Sequence, residues 1–414
     1  MKTKIGLLSL GCPRNLVDSE SILARLTLKR YPIVDIDKAD VAIVNTCGFI
    51  EDAKRESIDA ILDLVGLKKE GKLKKIIVYG CLSQRYQFEL KNELPEVDAF
   101  VGRLSLNHQV NRFPLTARHF AYLKISEGCI NNCSFCVIPK IKGKYASIDM
   151  DSIFKRVDAF NKEGLSELVI IGQDITGYGL DLYGKASLTA LLKRVLKRIE
   201  NIGWLRLLYL YPKRIDDELL YLIRDNPKLC KYIDLPIQHI NNRILKLMRR
   251  DTQKEEILKL IEKMRKVIPD VGIRTSIIVG FPSESDKEFR ELLDFIAEVR
   301  FERLGAFIYS REEGTAAYHF KEIIPQKVKV ERFDRIMSIQ QEISRRINQD
   351  FLGRFLEVLI EEKEDKHYLG RSQYDAPEVD GMVFVRTEKK LKPGDFVRVK
   401  ITDTLEYDLV GEVQ

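Results

Sequence analysis

The sequence predicts an α/β multidomain protein. Residues 1–117 form an N-terminal parallel α/β sheet domain, 118–347 a central incomplete (β/α)6 barrel, and 348–414 a small C-terminal five-stranded β-barrel. Three observations predict it. Apolar strand patterns alternate with amphipathic helix patterns as far as about residue 310, the signature of parallel α/β architecture. A long amphipathic pattern at 326–348 then leads away from that region. From about Phe351 the pattern changes to short strands between turns. A chain of 414 residues accommodates these parts at roughly 150 residues per domain.

In the first part, strand patterns run over 4–10, 41–45 and 75–79, with a weaker one at 99–101, and helical patterns over 15–29, 51–69 and 83–92. Each of the first three strands ends in a turn holding one cysteine: Gly11-Cys12-Pro13, Thr46-Cys47-Gly48 and Gly80-Cys81-Leu82. Ligands of an open parallel sheet collect outside the carboxyl ends of its strands. The repeated offset therefore predicts that Cys12, Cys47 and Cys81 converge on one edge of one sheet. The plain alternative is three unrelated core thiols, since free cysteine is commonly buried.

The central part repeats the alternation six times, with strands at 122–126, 168–172, 205–210, 232–235, 272–279 and 304–309 and helical patterns such as 150–162, 188–199 and 254–267. Such units form a doubly wound sheet or an incomplete barrel, and in either the loops after the strands carry the chemistry. The C-terminal strands are expected at 355–361, 368–371, 382–385, 396–401 and 409–412, with Asp380-Gly381 and Pro393-Gly394-Asp395 as turns, a barrel of OB-like size. Such barrels often bind nucleic acid, but residues 348–414 hold 10 Lys and Arg against 15 Asp and Glu, where a phosphate-tracking surface should be basic.

Composition narrows the class. Apolar residues at 45% and charged residues at 32% exclude wholesale disorder. No stretch approaches the ~18 apolar residues of a membrane span. The net charge of +7 is a weak hint of an acidic partner. Seven cysteines, an odd and unevenly spaced set, point to metal ligation in a reducing cytoplasm. Two decoys are set aside. Residues 2–12 resemble a lipoprotein signal, but the apolar run is too short for a secretory segment. Residues 66–73 come close to a P-loop, yet Leu73 stands where Ser or Thr would reach Mg²⁺, and the segment follows a helix instead of a strand. The lysines around it read as a solvated face.

Cys129, Cys133 and Cys136 form Cys-x-x-x-Cys-x-x-Cys directly after the first central strand. Three thiolates on one tight loop can hold three irons of a 4Fe-4S cubane and leave the fourth open, whereas electron carriers have four cysteine ligands. A structural zinc site would need a fourth Cys or His close by, and His108 and His119 lie on the other side of the strand. This run, with Phe135 just before its last cysteine, resembles the signature of the radical S-adenosylmethionine (SAM) enzymes. The resemblance implies that the open iron binds SAM and that one-electron reduction cleaves it to a 5′-deoxyadenosyl radical that abstracts hydrogen. It also suggests cofactor contacts at Phe135, at Gly172 and Gln173 in Gly172-Gln173-Asp174, at Gln238 and His239 after the fourth strand, and at Gly280 in Gly280-Phe281-Pro282. Without the resemblance, the last is a turn before a helix cap, and His239 is an ordinary satisfied histidine.

Cys12, Cys47 and Cys81 again make three ligands without a fourth. Two open-site clusters followed by a small barrel resemble the layout of the methylthiotransferases, in which the auxiliary 4Fe-4S cluster serves sulfur insertion and the barrel is a TRAM domain. The stretch Ser9-Leu10-Gly11-Cys12-Pro13-Arg14-Asn15-Leu16-Val17-Asp18-Ser19-Glu20 is similar to the RimO-type enzymes. Those enzymes modify the β-carbon of an aspartate in small-subunit ribosomal protein twelve, whereas tRNA-modifying relatives usually carry Gly-Cys-Gln-x-Asn. The barrel stretch 370–381 is RimO-like too, and an acidic barrel suits a basic ribosomal protein better than a tRNA backbone, so direct tRNA binding is not expected. The resemblance further implies a reduced electron donor such as flavodoxin or ferredoxin. A tRNA adenosine methylthiotransferase and a non-catalytic iron–sulfur redox or RNA-binding protein are the alternatives. Arg14 stands where the family usually has Lys, and 141–147 departs from the family's Arg-Gly-x-x-x-Ser segment. Cys230 matches no ligand position and reads as an inert buried thiol. Beyond the cluster ligands, no catalytic side chain stands out.

Overall fold

The structure, a computed structural model, describes residues 2–103 and 111–414; His108 lies outside the described residues. It divides into two compact units, Met1–Leu115 with Tyr122–Ala159 and Ser310–Tyr318, and Thr116–Ala121 with Phe160–Tyr309 and His319–Gln414.

In the first unit, β1 (Ile5–Ser9), β2 (Val41–Thr46), β3 (Lys75–Gly80) and β4 (Ala99–Val101) form a parallel sheet in sequential order. Ile5 lies opposite Val41, Val41 opposite Lys75, and Ile77 opposite Ala99. The connecting helices are α1 (Pro13–Leu28), α2 (Glu51–Lys69) and α3 (Cys81–Glu93). Because helices cover a parallel sheet, its central strands are apolar on both faces. Ala42, Val44, Ile76 and Val78 are accordingly fully buried, in one cluster with Ile61, Leu64, Leu82 and Phe100. The near-P-loop segment starts in the last turn of α2 and runs past it, and lysines in and beside it pair with surface acids, Lys68 with Asp98, Lys69 with Glu96 and Lys74 with Asp40. The chain continues through β5 (Phe120–Lys124), β6 (Ser126–Glu127), α4 (Ile138–Lys142), β7 (Ala146–Ser147) and α5 (Met150–Glu163). Strands β6 and β7 pair antiparallel, which closes the cysteine-bearing loop between them at its base.

The second unit carries β8 (Glu167–Ile171), α6 (Leu180–Tyr183), α7 (Leu188–Arg198), β9 (Trp204–Leu207), α8 (Asp217–Asp225), β10 (Tyr232–Asp234), α9 (Asn242–Leu247), α10 (Lys254–Val267), β11 (Gly272–Val279), α11 (Asp286–Val299), β12 (Arg303–Ile308) and α12 (Gln326–Gln349). Strands β8 and β9 pair in parallel, as do β10, β11 and β12 in order. The expected strand at 205–210 stops at Leu207. Tyr209 takes a left-handed φ of 66°, which no strand residue can hold, and its N–H turns to the Asp234 carboxylate at 2.9 Å.

The C-terminal strands β13 (Phe355–Glu364), β14 (His367–Ser372), β15 (Val383–Arg386), β16 (Phe396–Thr404) and β17 (Leu409–Val413) close into the expected five-stranded barrel in the order β13-β14-β15-β17-β16. Its pairs are antiparallel except β15 with β17. Register shifts at Ile360/Glu362 and Ile401/Asp403 bend the two long strands, as bulges do in small barrels. Val358, Ile360, Val383, Val385, Val399 and Ile401 fill the interior.

Within the second unit the barrel is joined to β8–β12 by buried charge. Glu167 accepts from Arg206 Nε at 2.6 Å and from Arg371 Nη2 at 2.5 Å, and all three side chains are fully buried. Asp375 receives Arg303, and Asp380 receives Arg274 and the Tyr232 hydroxyl. Part of the barrel's acidic charge is thus neutralised inside the unit instead of being presented to a partner. No helix among the described residues is long and apolar enough to cross a membrane.

Candidate active site: two cysteine triads in one unit

The first triad is built by the turns after β1, β2 and β3. Cys12 takes an extended conformation at the N-cap of α1 and Pro13 begins the helix, so the chain turns sharply into it. Cys47 lies one residue past β2, and its backbone is held on both sides by Ser57, whose hydroxyl accepts from the Cys47 N–H at 3.0 Å and donates to the Cys47 carbonyl at 2.9 Å. Cys81 opens α3 itself, so its backbone belongs to the helix and not to a loop beyond the strand. Two glycines make the convergence possible. Gly11 has φ +87°, and a Cβ there would meet the Cys47 Cβ at 2.8 Å and its Sγ at 3.2 Å. Gly80 has φ +107°, and a Cβ would meet Asn45 Oδ1 at 2.5 Å. Both turns need glycine's left-handed freedom and its missing side chain.

Asn15 ties the three turns together. Its amide donates to the carbonyls of Leu10 at 3.2 Å and Thr46 at 3.3 Å, and its Oδ1 accepts from the Cys81 thiol at 3.6 Å. Asn45 in turn donates to the Asn15 carbonyl at 2.7 Å and to Ser19 at 2.8 Å. Sequence reasoning assigned no role to these two asparagines. The cue was available: two amides flanking the first two cysteine turns, where an apolar strand end would otherwise be expected.

Electrostatics separates the three thiols. Burial opposes ionisation of Cys12, but the charges of Arg14 and Lys142 and a hydrogen bond from the Asn15 N–H outweigh it and hold this thiol below its ordinary value. Burial pushes Cys47 up and Cys81 up to about 12.

The second triad occupies the loop between β6 and α4. Gly128, with φ +73°, starts the loop, the Cys136 N–H donates to the Cys133 carbonyl at 3.2 Å, and Asn131 donates to the Cys129 sulfur at 3.6 Å. The Ala317 N–H donates to the Ser134 carbonyl at 2.8 Å and props the loop from outside. Burial, then the neighbouring charge of Cys133, raises Cys136 to about 12. Phe135 is half-buried on the same loop. Directly after it, Val137 and Ile141 pack on Cys81 of the first triad, so the two sets meet within one unit. All seven cysteines are free thiols. Cys230 is buried in the other unit, where burial raises it to about 12.

The remaining expected contacts lie in the second unit at the carboxyl ends of strands. Gly172 and Gln173 follow β8, ahead of Asp174, which accepts from the Thr176 N–H at 3.0 Å and from Arg214 at 3.0 Å. Gln238 has φ 74° and bridges to Ile277. His239 is fully buried; its Nδ1 accepts from the Asn241 N–H at 3.0 Å and its Nε2 lies 3.7 Å from Glu284. Gly280 has φ +69°, donates its N–H to Glu284, and a Cβ there would meet Lys329 Cγ at 2.4 Å. His119 contacts Glu361 at 3.3 Å in the same unit.

Comparison with known proteins gives three matches along the chain. Residues 4–102 match the family model described as uncharacterized protein family UPF0004, 123–296 the Radical SAM superfamily, and 352–413 the TRAM domain. Over 99% of the chain, it is 48% identical to a protein of Clostridioides difficile, covering 98% of that protein. It is 49% identical to one of Caldanaerobacter subterraneus, covering 99% of both. Each of these relatives is named ribosomal protein uS12 methylthiotransferase RimO. The chain belongs to the RimO family. Solved structures share the fold at low identity. The radical S-adenosylmethionine methyltransferase TsrM of Kitasatospora setae aligns with TM-score 0.56 at 12% identity, over 74% of this chain and 73% of that one. The cobalamin-dependent S-adenosylmethionine radical enzyme OxsB aligns with TM-score 0.51 at 13% identity, over 80% and 56%. Membership of the RimO family therefore rests on the whole-length relatives, and the solved structures speak for the fold alone.

Proposed function

We propose that this chain is a radical SAM methylthiotransferase that adds a methylthio group to the β-carbon of an aspartate in ribosomal protein uS12, using two 4Fe-4S clusters. The observation that carries the reading is the pair of three-cysteine sets in one unit of a chain that is RimO-like from end to end.

The residues present fit two such clusters. Among the described residues, no three His, Cys, Asp or Glu side chains close on a single metal-ion position. Thiolates that each take a different iron of a cubane need no common centre of that kind. The Cys12 thiol is already biased toward the thiolate by Arg14 and Lys142, and Asn15 and Ser57 hold the other turns in place. Cys129, Cys133 and Cys136 would hold the cluster that binds SAM, and Cys12, Cys47 and Cys81 the auxiliary one. When bound, these groups supply one-electron cleavage of SAM and a docking point for sulfur.

The chain's own contribution is binding, orientation and shielding. Val137 and Ile141 pack apolar surface against Cys81, which would limit water at this ligand. Phe135, Gly172, Gln173, Gln238 and Gly280 are the proposed SAM-contacting positions, with His239 a positioning residue behind them. His239 would act through Glu284 and the Gly280 backbone, since its own ring is enclosed. The barrel over 348–414 would orient the protein substrate, and a reduced flavodoxin or ferredoxin would supply electrons.

The test is anaerobic reconstitution, iron counting, and mass spectrometry of uS12 and tRNA offered side by side. About eight irons per chain with a methylthio mass gain on an aspartate-containing uS12 peptide is the expected result. The gain on tRNA alone would overturn the substrate, and about four irons would overturn the auxiliary cluster.

A further inference from the structure

Between the two triads lies a set of buried charges that the reaction chemistry does not require. Asp18 comes from α1, the helix that Cys12 caps; Lys124 ends β5; Glu127 stands two residues before Cys129; Lys142 ends α4, the helix that follows Cys136. Lys124 binds Asp18 and, at 2.7 Å, Glu127. Lys142 Nζ lies 3.4 Å from Asp18 and 3.4 Å from Glu127. Each carboxylate therefore faces both ammonium groups, and no side chain of the four is more than 19% exposed. A small cleft lined by Asn15, Asp18, Asn45, Tyr79, Cys81 and Lys142 opens beside them, so the charges border the first triad directly.

A neutral quartet of this kind adds little net stability, because burying four charges costs about as much as their attraction returns. It is tolerated in only one arrangement, since any displacement leaves a buried charge without its partner. Its members come from the segments that carry Cys12, Cys129 and Cys136. We infer that Asp18, Lys124, Glu127 and Lys142 form a strut that sets the separation and orientation of the two cysteine triads, and so the distance over which a substrate radical must find its sulfur. These are positioning residues: they act through the cysteine-bearing segments. The inference rests on the two-cluster reading above, which the iron content of the native chain tests separately.

The experiment uses the full chain reconstituted anaerobically, native and as the double variant D18N/K124M, which removes one charge of each sign and keeps the set neutral. The variant is expected to hold the iron of both clusters, ~8 per chain, and to cleave SAM within about twofold of the native rate. Its ratio of 5′-deoxyadenosine to methylthio product should rise at least ~tenfold, given that a misplacement of about 1 Å can cost ~100-fold. The magnetic interaction between the two reduced clusters, read by pulsed electron paramagnetic resonance, should change with it. The single variant K124R, which keeps the charge, should restore both readouts toward native. A double variant with the native ratio and native spin interaction overturns the inference, as does one that loses iron from either triad, since the quartet would then serve folding of a cluster site instead of spacing. A native chain with only ~4 irons overturns the two-cluster reading, and the strut with it.

Discussion

Cys12 and Cys81 are separated by their surroundings more than by their place in the chain. Arg14 and Lys142 lower one thiol, and burial raises the other to about 12. Because the thiolate is the nucleophile, iodoacetamide labelling of iron-free protein should modify Cys12 at a pH where Cys81 and Cys136 stay unlabelled. Peptide mass spectrometry across a pH series from 6 to 10 (roughly the thiol range) checks this, and simultaneous labelling of all three would refute the assigned environments. Replacing Cys133 with Ala should abolish SAM cleavage. Replacing Cys47 with Ala should remove about half of the iron, spare SAM cleavage and stop methylthio transfer; transfer by that variant would end the division of labour between the triads. Asn15→Ala breaks three hydrogen bonds at once and should cost ~1–3 kcal/mol, visible as a lower denaturant midpoint and faster iron loss.

At the scale of elements, the first triad depends on how sharply each strand hands over to its helix. Gly80 is the most constrained handover: φ is +107°, and an added Cβ would sit within 3 Å of both Asn45 Oδ1 and the Thr46 carbonyl. Gly80→Ala should therefore destabilise the unit by at least ~1–3 kcal/mol and displace Cys81, giving reduced iron content even where the fold survives. Gly71, also at positive φ, has open space around it, and Ala there should cost only the backbone term of ~1 kcal/mol. Paired thermal melts and iron assays of the two variants separate a cluster-building glycine from a turn glycine.

At the scale of the molecule, the barrel and β8–β12 belong to one unit because Glu167 lies between Arg206 and Arg371 with no exposure of any of the three. Glu167→Ala leaves two buried guanidinium groups without their shared carboxylate and should cost ~3–5 kcal/mol, the largest loss anticipated for any single substitution named here. The arginine charges hold Glu167 below the ordinary carboxylate range despite its burial. Its folded value being the lower one, the stabilisation is complete above the unfolded carboxylate range and is lost as pH falls through the folded value. Acid unfolding followed by circular dichroism should thus begin at higher pH in the Ala variant than in the native chain.

The sequence by itself determined the alternating α/β pattern, the small five-stranded barrel and one cysteine in the turn after each of three successive strands. Those features are local: period-2 and period-3.6 patterns, turn residues, and one thiol in the turn after each of three successive strands. Tertiary structure alone decided what lies across from what. Asn15 reaches Thr46 and Cys81, Lys142 reaches Asp18, and Glu167 reaches Arg371, pairs separated by 31, 66, 124 and 204 positions. No periodicity records such partners, because charge and amide groups look alike in sequence whether they face water or one another. The acidic barrel shows the consequence. Its charge is countable from composition, yet Asp375 and Asp380 are turned inward onto Arg303 and Arg274. How much charge remains for a basic substrate is set by packing, since burying a carboxylate is tolerable only beside a cation.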